Sequence, residues 1–118
     1  MISINYRDPR PIYEQVKDSF RQLIISGALP SDSKMPSVRE LAAGLTINPN
    51  TIQRAYRELE AEGYICSVPG RGSFVCQQDA ALAARRTELL SKFDSLTAEL
   101  ALVGVSREQL AERLEAAK

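Results

Sequence analysis

Histidine is missing from this 118-residue sequence, and cysteine occurs only twice. The first absence removes the commonest general base and metal ligand. The two cysteines, Cys66 and Cys76, form neither a CxxC pair nor a zinc cluster. No enzyme chemistry, cofactor or metal site is therefore expected. No apolar run approaches the ~20 residues of a membrane helix. The N-terminus lacks the charged start and apolar stretch of a signal peptide. A cytoplasmic protein that does not engage membranes is expected. An excess of charge is also lacking, with 15 Lys and Arg against 15 Asp and Glu. Residues 1–76 carry +1 (9 basic, 8 acidic) and residues 77–118 carry −1 (6 basic, 7 acidic). Any polyanion-binding face must arise by sorting charges in space.

What is present is helical periodicity and turn punctuation. Ile12, Val16, Phe20, Leu23 and Ile24 make one apolar face after Arg10-Pro11. Gly27 is placed to cap that helix. Ser37 with Glu40 three residues on reads as a capping box for a short second helix, with Val38, Leu41, Ala42 and Leu45 inside. Asn48-Pro49 opens a third helix as cap and first residue, with Ile52, Ala55, Tyr56 and Leu59 facing inward. Two helices joined by a tight turn spell helix-turn-helix. Tyr64–Val68 and Ser73–Cys76 read as strands around the turn Pro69-Gly70-Arg71-Gly72, which makes a wing.

Residues 1–76 are thus expected to be a winged helix-turn-helix and residues 77–118 a helical tail. The fold class is mostly α with a small β-hairpin. In the tail Leu82, Leu89, Leu96 and Val103 lie seven apart, with Phe93 and Leu100 between them, an a/d seam. Gly104 ends that helix. Ser106 and Gln109 form a further capping box before a last helix with Leu110 and Leu114 inside.

These blocks resemble the GntR family of bacterial regulators. They are Pro11-Ile12-Tyr13-Glu14-Gln15, Met35–Ala42, Asn48–Tyr56, Leu59–Tyr64 and Gly70–Val75. The short tail resembles the YtrA subfamily, whose members lack a large ligand-binding domain. The resemblance implies a homodimeric transcription regulator, usually a repressor, acting on an inverted-repeat operator and often on a transporter operon. A small-molecule effector stays open. Relatives often carry arginine where this sequence has Gln53, so base preference does not transfer.

In such a domain the start of the third helix faces base edges in the major groove. The expected DNA-binding residues are Lys34, Ser37, Arg39, Asn48, Asn50, Thr51, Gln53, Arg54, Arg71 and Gly72. Gln53 suits adenine and Arg54 guanine, while Arg71 between two glycines suits a narrow minor groove. Each has a plainer alternative: Asn48 as cap only, Arg54 as a solvated charge, Arg39 paired with Glu40 or Glu14, Arg71 as a loose tip charge. Glu58, Glu60 and Glu62 are expected to line the outward end of the third helix, away from DNA. The dimerisation residues are Leu82, Leu89, Phe93, Leu96, Leu100, Val103, Leu110 and Leu114. If Val68 pairs with Ser73, Cys66 and Cys76 face opposite sides of the hairpin, which argues against a redox pair. Two other readings remain: the head of a pyridoxal-phosphate-dependent regulator, and a winged helix used only for protein contacts.

Overall fold

In a computed structural model, which describes residues 2–77 and 79–117, the chain forms five helices and one hairpin in the order ααα-ββ-αα. It divides into two compact units, the first running to Leu82 and the second from Ala83 onward. Packing therefore carries the first unit past Cys76, because Ala81 is buried in its core.

The first unit contains α1 (Ile12–Ile25), α2 (Val38–Leu45), α3 (Pro49–Ala61), β1 (Ile65–Val68) and β2 (Gly72–Val75). Pro11 precedes α1 as its N-cap rather than opening it. Ser37 caps α2, its Oγ accepting the Glu40 N–H at 3.0 Å. Thr46, in the left-handed region at φ 56°, ends α2, and Ile47 N–H then donates to Ala42 O at 2.9 Å. That bend turns the chain into α3, which begins as expected with Asn48 as N-cap and Pro49 inside the first turn. Val16, Phe20, Ile52, Ala55, Leu59, Tyr64, Ile65 and Val75 fill the core.

The hairpin differs from the expected register. Val68 pairs with Gly72, Ser67 with Ser73, Cys66 with Phe74 and Ile65 with Val75. Pro69 and Gly70 occupy the centre of a tight turn closed by Arg71 N–H donating to Val68 O at 2.9 Å, with Gly70 at φ 78°. Such a turn takes proline second and glycine third. It leaves Gly72 free to start β2, one residue earlier than expected. A one-residue slip exchanges the two faces, so Cys66 and Cys76 share a side and are joined by a disulfide. The segment before α2 adds to the other edge of β2: Met35 N–H donates to Ser73 O and Val75 N–H to Ser33 O, each at 2.8 Å.

A charge ladder joins α1 to α3. Lys17 pairs with Glu58 at 3.0 Å and also with Glu62; Arg21 pairs with Glu62 at 3.0 Å and with Asp18 at 3.2 Å. Glu58 and Glu62 are therefore half-buried against α1, not turned outward as expected. Their four-residue spacing matches that of Lys17 and Arg21, so two residues on each helix meet in step.

In the second unit α4 (Asp79–Leu102, begun in the first unit) leads to α5 (Arg107–Ala116). Gly104 at φ 93° and Val105 N–H donating to Leu100 O at 2.9 Å close the end of α4. Ser106 and Gln109 make the full reciprocal capping box. Leu82, expected to open the seam, is half-buried at the end of the first unit, and the rest of the seam is bare: Leu89, Phe93, Leu96 and Leu100 are all exposed. Val103 falls beyond the helix, and Leu114, expected inside, is 59% exposed. A 10-residue helix presents too little surface to cover a 24-residue one.

Hydrogen bonding by Lys17 holds the Glu58 carboxyl below its ordinary pKa. Burial alone would lower the Lys17 pKa, but the Glu62 and Glu58 carboxylates outweigh it and raise it. The lowered acid stabilises the fold above the usual glutamate range and loses that effect as pH falls through its folded value. The raised base stabilises below the usual lysine value and loses its effect as pH rises through the folded one. Lys17→Met should therefore cost about 1 kcal/mol at neutral pH, a value discounted for solvent screening. Urea denaturation at pH 7 and pH 3 checks this: the gap between variant and parent should close at the lower pH. A gap equal at both would assign it to packing of the lysine stem.

Candidate nucleic-acid interface

Tyr56 sets the geometry of the helix pair. Its ring meets Phe20 of α1 edge-on, with centroids 5.7 Å apart and planes at 86°. Its hydroxyl donates to Pro36 O at 2.7 Å, just before α2. Burial raises its pKa far above the ordinary tyrosine value, so the hydroxyl stays a donor. α3 is thus fixed to α1 and to the entry of α2 by one side chain.

The first turns of α3 face solvent. Asn48 caps the helix, its Oδ1 accepting the Asn50 N–H at 2.8 Å. That bond uses its acceptor oxygen and leaves the amide NH2 open. Asn50 and Gln53 are exposed and Thr51 is half-buried. Asn50 and Gln53 present amides, which both donate and accept. Ser37 and Arg39 are exposed at the start of α2. A helix N-terminus with unpaired N–H groups favours an anion there.

Arg71 is exposed at the tip of the hairpin. Gly70 and Gly72 flank it, with φ 78° and 105°, so the backbone is bare of side chains on both sides. Lys34 forms an isolated bridge with Phe74, and its Cε lies 3.4 Å from where a Cβ on Gly72 would stand. Lys34 is thereby brought beside the base of the tip.

Arg54 is exposed but held by two neighbours. Its guanidinium lies 3.7 Å from the centroid of the Tyr13 ring, and its Nε donates to Glu58 Oε2 at 3.4 Å. Stacking occupies the flat face of the group and leaves in-plane donors free. Tyr13, absent from the expected site, is therefore the side chain that orients Arg54. Its spacing to Val16 and Phe20 puts it on the same apolar face of α1, half-buried against the core, so the periodic signal marks it for packing and not for a partner on α3.

The arrangement also sorts charge. Asp8, Asp18, Glu58 and Glu62 are neutralised by Arg10, Lys17, Arg21 and Arg54. Among the described residues Arg39 and Arg71 take part in no ion pair, and both are exposed. Among the described residues no group of three or more His, Cys, Asp or Glu side chains is placed to hold a metal, and no helix is long and apolar enough to cross a membrane.

The family described as "Bacterial regulatory proteins, gntR family" matches residues 12–75. The chain is 36% identical over 114 residues to the HTH-type transcriptional repressor YtrA of Bacillus subtilis, covering 95% of this chain and 88% of that protein. A transcriptional regulator from Oenococcus oeni superposes with a TM-score of 0.77 at 31% identity, covering 98% of both chains. The DNA-binding domain of AraR, solved in complex with operator ORE1, superposes with a TM-score of 0.55 at 30% identity, over 64% of this chain and 93% of that one. The family and these relatives are transcription regulators and not enzymes. With a bent helix pair, an amide-bearing helix start, a basic wing and a family match over residues 12–75, the chain belongs to the GntR family of DNA-binding transcriptional regulators.

Proposed function

We propose that the chain is a cytoplasmic repressor that binds an inverted-repeat operator as a homodimer, each protomer reading one half-site. The observation that carries this is the exposed start of α3, where Asn50 and Gln53 face solvent, as Arg39 does on α2. In this reading α3 enters the major groove, and Gln53 pairs with a base edge. Asn48, Asn50 and Thr51 reach bases or phosphates. Ser37, Arg39 and Lys34 hold the flanking backbone. The wing carries Arg71 and Gly72 into the neighbouring minor groove. Arg54, held on Tyr13, pairs with guanine through its remaining in-plane donors. The name of the Bacillus relative supports repression. The operon concerned, which the family resemblance expects to serve a membrane transporter, is found by mapping bound sites across the genome.

Selection from a random duplex pool should yield a two-fold symmetric site with half-sites about 34 Å apart. Gln53→Ala should relax preference at one position in each half-site and cost ~1–3 kcal/mol there. An asymmetric site bound by one protomer would sink the dimeric reading. Equal weakening on all sequences would make Gln53 a backbone contact.

The tail supplies the pairing surface in this proposal. Leu82, Leu89, Phe93, Leu96, Leu100 and Val103, with Leu110 and Leu114, form the apolar surface that a second copy covers. Two linked domains then bind the second half-site at high effective concentration. This offsets the few phosphate contacts that a near-neutral domain makes. Leu96→Glu combined with Leu100→Glu should give a monomer whose first unit stays folded, since neither residue belongs to its core. Sedimentation and circular dichroism check both halves of that statement. A variant that sediments as a dimer would move the interface onto the winged helix.

A further inference from the structure

The two cysteines of the chain both lie on the wing. Cys66 is in β1, and Cys76 follows β2. Because Cys66 pairs with Phe74, Cys76 is its diagonal neighbour on the same face. Their Cα atoms are 5.7 Å apart and a disulfide joins them, a separation usual for that bond. Cys66 is exposed, and a shallow cavity of about 370 Å³ opens beside the pair, lined among others by Asp32, Arg71 and Gln77. The bond closes a loop that contains Arg71.

Contacts other than this bond also hold the base of the hairpin. Ile65 and Val75 are buried in the core. β2 is held on its far edge through Ser73 and Val75. The tip itself is held by the turn bond from Arg71 N–H to Val68 O, with Pro69, Gly70 and Arg71 between Val68 and Gly72. β1 is bonded along one side only. The disulfide adds a covalent tie between the strands, two paired positions below the tip.

We propose that Cys66 and Cys76 are a reversible oxidation site through which a hydroperoxide raises the affinity of the wing for DNA. One thiolate attacks a peroxide oxygen, giving a sulfenic acid and releasing the other oxygen, which leaves as water after taking a proton. The second thiolate displaces the sulfenic hydroxyl, which also leaves as water, and the S–S bond forms. Overall two thiols and hydrogen peroxide give a disulfide and two waters. A dithiol reductant reverses this by exchange and becomes a disulfide itself. An exposed disulfide in a reducing cytoplasm is of the transient, sensing kind. Closing the ring fixes the wing before binding, so less freedom is lost when Arg71 enters the groove. The inference rests on the proposed role of Arg71 at DNA.

The test uses the full chain, reduced with dithiothreitol and desalted, then divided and half treated with hydrogen peroxide. The probe is the duplex recovered by selection. Oxidation should remove both free thiols, leave each chain two hydrogens lighter, and produce no cross-linked dimer on a non-reducing gel. The oxidised protein should bind about 3- to 10-fold tighter, reversed by dithiothreitol. Cys66→Ser and Cys76→Ser should each bind like the reduced parent whatever the treatment. In Arg71→Ala the disulfide should still form while the affinity difference disappears. Thiols that resist oxidation, a bond between chains, or equal affinity in both states would overturn the proposal. Failure to bind any duplex in either state would instead overturn the functional reading beneath it.

Discussion

A recognition helix is useful only if its first turns project while its remainder is clamped, and Tyr56 supplies that clamp. The ring is buried edge-on against Phe20, and the hydroxyl reaches Pro36 O across a gap of 20 residues in sequence. Apolar packing alone would hold α3 against α1 with some freedom to slide. The hydrogen bond adds a direction, because it aligns only when α2 begins at one place. The charge ladder of Lys17 and Arg21 with Glu58 and Glu62 fixes the same helix lengthwise. Its contribution to stability is modest, as partly exposed ion pairs contribute little. Its greater consequence is electrostatic, since it neutralises acids carried by the same helix that presents Asn50 and Gln53.

That neutralisation resolves the tension between a net charge of zero and a DNA-binding family. Balance over the whole chain says nothing of balance over one face. Phosphate attraction falls off over about 10 Å at moderate salt. Acids paired with α1 thus weigh less at the start of α3 than bare ones would. Arg39 at the start of α2 and Arg71 at the wing tip lie outside the ladder and are exposed. The clamp and the charge sorting are one construction: the pairs that hold α3 in place also neutralise Glu58 and Glu62.

Legibility in the sequence followed the range of the interactions. Helices, caps and the bend between α2 and α3 are local. Ser37, Asn48-Pro49 and Ser106 with Gln109 announced them at three- or four-residue range. Partner choice across the fold is not local. The matched spacing of residues 17 and 21 with 58 and 62 was present in the sequence, but nothing there says that the two helices meet in step. The stack of Arg54 on Tyr13 depends on the same unseen juxtaposition. The hairpin register turned on a single residue: a loop of three residues instead of four reversed the faces of the strands. With them went the argument that kept the two cysteines apart. Gly72 decided this, and it reads equally well as the last residue of a turn or the first of a strand.

The tail raises the opposite question, why a helix persists where so little of it is buried. Isolated helices in water are marginal even for good helix formers. Much of α4 rests on its composition, with alanines and leucines throughout, and on pairs such as Arg85 with Glu88 and Lys92 with Glu88. Those pairs are worth only tenths of a kcal/mol each. Leu89, Phe93, Leu96 and Leu100 together expose an apolar stripe whose burial is worth far more, at ~25 cal/mol per Å². A tail helix stabilised mainly by burying that stripe would be firm when paired and weaker alone. Under the proposed dimer, subunit pairing and tail helicity are then one equilibrium, so affinity for a two-fold operator depends on protein concentration through the tail rather than through the winged helix.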